Sequence, residues 1–148
     1  MTNNYTLRPA LESESAQIKA LINLVEINPT GLDWKRFLVA VDDSGQVIAC
    51  GQIKPHGGGI QELASIAVHP DYQGAGIARA VIEKLLEDTH RPMYLTCLSK
   101  NEGLYEKFGF RSIEYIEMPR YFQRLSKLFS VAEVFRHSGY QLCVMKLE

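Results

Sequence analysis

The chain has 148 residues, of which 46% are apolar and 22% are charged, and its formal net charge at pH 7 is −1. This composition is typical of a globular protein large enough to bury a hydrophobic core in a single domain. The near-neutral charge provides no bulk attraction to nucleic acid or to an anionic membrane, so neither is a predicted partner.

The three cysteines and the four histidines show no disulfide or metal pattern. Cys50, Cys97 and Cys143 lie in separate apolar, strand-like runs without C-x-x-C spacing, which favours small buried side chains in a reducing compartment. The histidines share no spacing typical of metal ligands, so no metal is predicted. His69 precedes a proline at the end of a predicted strand, where a capping or an exposed role is expected rather than a catalytic one.

The amino-terminal residues show no sign of a targeting segment. Residues 1–5 contain neither a basic region nor an apolar leader. No apolar run in the chain approaches membrane-spanning length. We therefore expect a cytoplasmic protein.

The first part of the chain predicts a strand, a helix and a β-hairpin. The helix is indicated by the helical spacing of Ile18, Leu21, Ile22 and Val25, which follow Ser13 as a suitable N-cap residue. In chain order the predicted elements are a strand at 5–10, a helix from Ser13 to about Ile27, a break at 28–31, a short helical turn at 33–36, and strands at 37–41 and 47–53 joined by a turn at 42–46.

One stretch in the middle of the chain organises the rest of the predicted fold. The apolar run Leu63–Val68 is typical of a buried strand, and His69-Pro70-Asp71 ends it because proline has no N–H to donate. A glycine-spaced turn follows, and an amphipathic helix is predicted from Ile77 to His90. The order is therefore a buried strand, a glycine loop and a helix.

Gly74 and Gly76 give this loop a particular chemistry. Glycine permits positive φ and has no Cβ that would hold a bulky anion away from the backbone amides. The small Ala78 in the first helical turn keeps the same approach open. Because the first N–H groups of a helix have no partners within the helix, the sequence predicts a phosphate site here.

The last part of the chain predicts three more strands and two helices. In chain order these are a strand at 93–98, a short helix at 101–108 closed by Gly109, a strand at 110–116, a helix at 119–134 and a last strand at 141–147 beside the sixth. No repeat or linker is visible, so one domain over residues 1–148 is predicted. Its fold class is α/β in the α+β sense, with a mixed, mostly antiparallel sheet of about seven strands and helices on both faces.

Two motifs of the chain resemble a known family. The turn Gln73-Gly74-Ala75-Gly76-Ile77-Ala78 resembles the acetyl-CoA signature, Gln/Arg-x-x-Gly-x-Gly/Ala, of the GNAT superfamily of N-acetyltransferases. Residues 66–72 before it are also typical of that family, and the block from Asn101 to Phe110 resembles its later Asn-x-x-x-Tyr-x-x-x-Gly-Phe element. The resemblance implies a GNAT fold, splayed between strands 4 and 5, and an acetyl-CoA-dependent acyltransferase.

The resemblance also implies how the co-substrate acetyl-CoA is held. The glycine loop binds its pyrophosphate, and strand 4 pairs with the pantetheine arm, so that one backbone N–H stabilises the charge that develops on the thioester oxygen. The residues predicted to bind acetyl-CoA are Ile66, Ala67, Val68, Gln73, Gly74, Ala75, Gly76, Ile77, Ala78, Arg79, Asn101 and Tyr105.

Tyr105 is the candidate general acid that protonates the departing thiolate. A phenol is protonated at neutral pH and is well matched to such a leaving group. The alternative is that its ring only packs between a helix and the sheet. Asn101, one turn earlier, is expected either to contact acetyl-CoA or to act as an N-cap, and Arg79 is either a phosphate ligand or a solvated cation.

Glu62, at the start of the central strand, is the candidate general base for the incoming ammonium group, acting through water. The alternative is a solvated charge at a strand end, and Glu26, Asp33 and His56 are the weaker candidates for the base. Since no cysteine lies in the glycine loop, we expect the amine to attack the thioester directly in a ternary complex.

No motif specifies the acceptor, so the predicted partner is a small-molecule or peptide amine, and the chain is expected to be a monomer or a homodimer. A second hypothesis is a non-catalytic acyl-CoA-binding or sensor module, against which the presence of Tyr105 counts. The spacing of the glycines excludes a dinucleotide-binding domain, because Arg79 stands where the third glycine of Gly-x-Gly-x-x-Gly is required.

Overall fold

The computed structural model describes residues 4–130 and 139–148. The strands are β1 (Tyr5–Pro9), β2 (Phe37–Asp42), β3 (Val47–Pro55), β4 (Gln61–Val68), β5 (Met93–Leu98), β6 (Arg111–Ser112) and β7 (Leu142–Leu147). The α-helices are α1 (Ser15–Leu24), α2 (Ile77–Leu86), α3 (Glu102–Glu106) and α4 (Arg120–Ser130). Short 3-10 turns are formed by Glu12–Glu14, Trp34–Arg36, Pro70–Tyr72, Ser99–Asn101 and Tyr115–Glu117.

The strands follow the hydrogen-bonded order β1-β2-β3-β4-β5-β7-β6. The pairs β1–β2, β2–β3, β5–β7 and β6–β7 are antiparallel, whereas β4 and β5 are parallel through the pair Glu62 and Tyr94. This confirms the predicted class, a mixed α/β fold with a seven-stranded, mostly antiparallel sheet, and it confirms that the last strand lies beside the sixth. The splay of β4 from β5 and the single domain stay predictions.

The described chain divides into two compact units. The first unit comprises the chain up to Lys54 together with Leu63–Thr89, and the second comprises Pro55–Glu62 together with the chain from His90 onward. The glycine loop and α2 belong to the first unit, while α3 and α4 belong to the second.

The strands of the first unit carry helices on both faces. Side chains alternate along a strand, so Val39 of β2 packs with α1 residues such as Ile22, whereas Ala40 packs with α2 residues such as Val81. All four of these residues are fully buried. In this unit, the prediction of helices on both faces is therefore confirmed.

The core of the second unit is built around Phe122 of α4, which is fully buried. Its ring stacks on Tyr94 of β5 with 5.3 Å between the centroids, and Ile113 and Val144 belong to the same cluster. α4 was predicted over residues 119–134 and spans Arg120–Ser130, and residues 131–134 lie outside the described part of the chain.

The first helix begins differently from the prediction. Ser13 is not its N-cap, because Glu12–Glu14 form a 3-10 turn and α1 begins at Ser15. The Glu14 carboxylate caps that 3-10 turn, since its Oε1 accepts the backbone N–H of Leu11 at 2.8 Å, whereas α1 has no side-chain cap.

The first helix also ends earlier than the predicted Ile27. Glu26 adopts a left-handed φ of 60°, and the Ile27 N–H donates to Ile22 O at 3.3 Å. Together with the bond from Glu26 N–H to Asn23 O, this is a Schellman motif. Val25 and Ile27 still pack against the core of the first unit, which explains why apolar spacing alone extended the predicted helix.

Three further elements are shorter than predicted. The short helix predicted over residues 101–108 is α3, which spans Glu102–Glu106. α2 ends at Leu86 rather than at His90, and the Thr89 hydroxyl donates to the Leu86 carbonyl at 3.1 Å. The sixth strand was predicted over residues 110–116 and is confined to Arg111–Ser112, because Tyr115–Glu117 form a 3-10 turn.

Candidate functional site

The glycine loop precedes α2 as predicted, and its geometry suits an anion. Gly74 and Gly76 have φ of 84° and 79°, and among the described residues nothing lies within 4 Å of the place that a Cβ would take at either position. Gly76 is the N-cap residue of α2 and offers no side chain to the N–H groups of the first turn. These groups, at the positive end of the helix dipole, are therefore available to a phosphate.

Two side chains fix the loop to the end of β4. Gln73 Nε2 donates to the Val68 carbonyl at 3.1 Å. His69 Nδ1 accepts the backbone N–H of Asp71 at 3.1 Å, so His69 caps the following 3-10 turn, in agreement with its predicted role. The loop is thus held to the strand whose backbone is predicted to bind acetyl-CoA.

The residues that follow the glycines differ in what they offer to a ligand. Ile77 is buried in the core of the first unit, so its backbone N–H is the group that can bind. Ala78 is half-buried and Ala75 is exposed. The Arg79 side chain is exposed, and its Nε lies 4.0 Å from Glu83 Oε1, so the guanidinium is held only by a weak, solvated ion pair.

The backbone of β4 leaves the extended conformation at Ser65, which has a left-handed φ of 59°. We call this point the bend. The buried Gln52 donates to Ser65 Oγ at 2.8 Å and to Gly31 O at 3.2 Å, and it accepts from Arg36 Nε at 3.1 Å. The bend directly precedes residues 66–68, whose backbone is predicted to bind the pantetheine arm. One signal in the sequence could have indicated this contact, because Gln52 is a polar residue within the mainly apolar run of β3.

Tyr105 lies in α3 of the second unit and is half-buried. Its ring meets Phe110 edge to face, with 6.2 Å between the centroids. Burial raises the pKa of Tyr105 to about 12, and the neighbouring Cys97 adds to the shift. The phenol is therefore protonated throughout the neutral range, which a general acid requires.

Asn101 occupies the N-cap position of α3, but its side chain makes no capping hydrogen bond. The residue is exposed. Its amide is therefore not used by the helix that it precedes.

The structure brings together two of the four candidates for the base. His56 Nε2 lies 2.7 Å from Glu62 Oε1, and the two side chains are 12% and 7% exposed. Glu62 is therefore not the solvated charge that the alternative interpretation expected. The His56 ring also stacks on Tyr121 of α4, with 3.7 Å between the centroids and 21° between the planes.

The other two candidates have different environments. Glu26 is exposed at the end of α1. Asp33 accepts the backbone N–H of Lys35 at 3.1 Å and lies 3.6 Å from Arg36, so it caps the 3-10 turn. Both belong to the first unit, whereas His56, Glu62 and Tyr105 all belong to the second.

Neither a metal cluster nor a membrane span is found in the described part of the chain. Within residues 4–130 and 139–148, no group of three or more His, Cys, Asp or Glu side chains is arranged to hold a metal ion. No helix in those ranges is long and apolar enough to cross a membrane.

The mostly antiparallel sheet and the open glycine loop between β4 and α2 agree with the resemblance to the GNAT class of acyltransferases. The family model described as acetyltransferase (GNAT) domain matches residues 33–112, more than half of the chain. The chain therefore belongs to the GNAT acetyltransferase family.

The chain is similar to an uncharacterised N-acetyltransferase of Chlorobaculum tepidum, with 32% identity over 88 residues, or 57% of this chain. The match covers 55% of that protein, so the chain spans about half the length of this curated relative.

Two solved structures show the same fold. N-acetylglutamate synthase from Neisseria gonorrhoeae, in complex with coenzyme A and N-acetyl-glutamate, superposes with a TM-score of 0.72 at 17% identity, over 99% of this chain and 35% of that one. A Mycobacterium tuberculosis protein in complex with CoA superposes with a TM-score of 0.71 at 22% identity, over 96% and 98% of the two chains.

Proposed function

We propose that this chain is an N-acetyltransferase that moves the acetyl group of acetyl-CoA to a primary amine. The observation that carries the proposal is the open glycine loop at the N-terminus of α2, in a chain of the GNAT family. The CoA in the complexes of the Neisseria and Mycobacterium proteins supports the same co-substrate here.

Acetyl-CoA supplies an acetyl group that is activated as a thioester. The N–H groups of the loop from Gln73 to Arg79 bind its pyrophosphate, because they have no side-chain cap. Backbone groups of Ile66, Ala67 and Val68 bind the pantetheine arm, and one N–H polarises the thioester carbonyl. The exposed side chains of Arg79 and Asn101 add polar contacts to the same molecule.

The amine attacks the thioester carbonyl directly, and its proton leaves by way of the hydrogen-bonded pair that Glu62 forms with His56. Tyr105 protonates the departing thiolate. The cysteines support direct transfer, since burial raises the pKa of Cys50 to about 12 and that of Cys97 to about 11, and burial and Glu102 raise that of Cys143 to about 12. All three therefore stay as thiols, which are poor nucleophiles.

An amino acid is the first acceptor to test. The support for it is that the Neisseria relative binds N-acetyl-glutamate, an acetylated amino acid. We also infer a cytoplasmic location, which is supported by three free cysteines.

The test is thermal unfolding with and without acetyl-CoA and CoA, followed by thiol release with L-glutamate, spermidine, kanamycin and a peptide with a free N-terminus. Saturation at a hundredfold excess over Kd adds about 2.7 kcal/mol to the free energy of unfolding. We expect a clear rise in Tm and amine-dependent thiol release. A rise in Tm without turnover favours a non-catalytic acyl-CoA-binding module, and no rise overturns the assignment of the glycine loop.

A further inference from the structure

The pair formed by His56 and Glu62 has the geometry of an oriented imidazole. Nε2 and Oε1 are 2.7 Å apart, a short hydrogen bond between two side chains that are almost fully buried. An ionised carboxylate can only accept, so His56 donates its Nε2 proton to Glu62. In the neutral imidazole this leaves the lone pair on Nδ1.

In the described part of the chain, no neighbouring group occupies the lone pair of Nδ1. Among the described residues, no hydrogen-bond partner of His56 Nδ1 occurs. The 12% of the side chain that remains exposed gives a small molecule or water access to the ring. Glu62 Oε2 also has no hydrogen-bond partner among the described residues, so both members of the pair keep a free lone pair. The imidazole is the one of the two that most often acts as a general base.

Two aromatic rings from α4 fix the plane of the imidazole. Tyr121 stacks on it at 3.7 Å, and Phe122 meets it edge-on at 5.7 Å. The titratable groups that the described residues of this unit direct at the ring are Glu62 from β4 and Tyr121 from α4. Burial raises the pKa of Tyr121 and Glu62 adds to the shift, so Tyr121 stays a neutral phenol.

We propose that His56 Nδ1 is the atom that takes the proton from the attacking amine, and that Glu62 is the positioning residue that holds the imidazole. This rests on the proposed N-acetyltransferase function. As the N–C bond forms, the amine proton passes to Nδ1, and the Glu62 carboxylate stabilises the imidazolium. The C–S bond breaks and Tyr105 protonates the thiolate. His56 then returns its proton to solvent, and the Tyr105 phenolate takes a proton from solvent.

The kinetic test compares His56→Gln, Glu62→Gln and the control His90→Gln. Glutamine keeps an N–H donor but has no basic nitrogen, so His56→Gln lowers kcat by about 10²–10⁴-fold without changing KM for acetyl-CoA. It also removes the acidic limb of the kcat–pH profile. Glu62→Gln is expected to lower kcat less than His56→Gln does and to leave KM for acetyl-CoA unchanged, because the base is kept and only its carboxylate partner is lost. His90, which is exposed and bonds Gly59 O, has no carboxylate partner among the described residues, and its variant behaves like the parent.

A second measurement uses the unaltered chain. ¹⁵N NMR of labelled histidine is expected to show His56 as the tautomer with the proton on Nε2, and a proton on Nδ1 in the neutral ring overturns the proposal. If the kcat–pH profile of His56→Gln is the same as that of the parent, the role of His56 is overturned. The proposed transferase function is kept in that case, provided that the parent shows amine-dependent thiol release. Absence of amine-dependent thiol release in the parent overturns the proposed function and this assignment together.

Discussion

The side-chain amide of Gln52 donates a 2.8 Å hydrogen bond to Ser65 Oγ, and so joins β3 to a residue of β4 that has a left-handed φ of 59°. Gln52 is fully buried, and it also bonds Gly31 O and Arg36 Nε. A serine with this φ is strained and persists only where its surroundings hold it. Gln52 therefore fixes the bend that precedes the backbone proposed to bind acetyl-CoA.

Replacing Gln52 with leucine is expected to lower the free energy of unfolding by about 1–3 kcal/mol, because Ser65 Oγ and Gly31 O lose a buried partner. The Kd for CoA is expected to rise as the bend relaxes. Urea unfolding and calorimetry measure the two effects. In the control, Gln46→Leu changes an exposed residue of the hairpin turn, where the expected effect is below about 0.5 kcal/mol. A Gln52→Leu chain as stable as the parent would show that the bend does not need this clamp.

The binding role of the glycine loop can be tested with two glycines that have similar left-handed φ values. Gly76 has a φ of 79° and Gly45, in the hairpin turn, a φ of 87°, and neither position has a described atom within 4 Å of a Cβ. Alanine at either site is expected to lower the free energy of unfolding by about 1–2 kcal/mol, the cost of a left-handed conformation. Gly76→Ala is also expected to raise the Kd for CoA at least about tenfold, a loss of about 1.4 kcal/mol, because a Cβ in this loop hinders the approach of a bulky phosphate to the backbone amides.

The comparison of Gly76→Ala with Gly45→Ala separates the effect of backbone strain on stability from the effect on the Kd for CoA. Calorimetry with CoA, at a temperature where both variants are folded, gives the two Kd values. If both substitutions weaken CoA equally, or if neither does, the phosphate does not lie at the N-terminus of α2.

The end of α1 offers a stabilising substitution. Glu26 is exposed and occupies the left-handed position of the Schellman motif, where glycine carries no Cβ penalty. Glu26→Gly is expected to raise the free energy of unfolding by about 0.5–1 kcal/mol, measured by urea unfolding. Asn23→Gly, in the last turn of the same helix, is the control and lowers stability. A loss of stability in Glu26→Gly would contradict the role of this residue as the helix end.

The sequence predicted the order of the elements because apolar periodicity reports which faces are buried. It placed β4, the glycine loop and α2 correctly, since proline and closely spaced glycines mark boundaries in the chain itself. It misplaced the ends of α1 and the extent of β6. Ile27 packs on the core although it lies outside the helix, and burial alone cannot distinguish a helical residue from a non-helical one.

The pairing of His56 with Glu62 was not predicted, although both residues were candidates for the base. They are separated by a Gly57-Gly58-Gly59 loop, and sequence gives no distance across such a loop. The stacking of Tyr121 on His56 depends on a helix more than sixty positions away, which no local pattern encodes. The sequence thus named both residues as candidates, and tertiary contacts supplied their partners.

The buried carboxylate of Glu14 predicts how stability depends on pH. Its two oxygens accept from Arg8 Nη1 and Nη2 at 2.8 and 2.7 Å, and the hydrogen-bonded guanidinium lowers the pKa of this carboxyl from its ordinary 4.5. The stabilisation is therefore complete above about pH 4.5 and is lost as the pH falls through the lower folded value. Glu14→Gln is expected to remove about 1–2 kcal/mol at pH 7 and to flatten the acid side of the stability profile. Urea midpoints between pH 7 and pH 2 measure both effects, and Glu12→Gln, at an exposed residue of the same turn, is the control.

Tyr105 predicts the behaviour of the leaving-group step. Tyr105→Phe is expected to lower kcat by roughly 10–1,000-fold, because the thiolate loses its proton donor, while the Kd for CoA stays the same. Since burial raises the pKa of Tyr105 to about 12, kcat of the parent is not expected to fall through ionisation of this phenol up to pH values near 10. The exposed Tyr115 is the matched control, and Tyr115→Phe leaves kcat unchanged. If Tyr105→Phe turns over at the rate of the parent, the proton of the leaving thiol comes from solvent and the ring of Tyr105 serves packing alone.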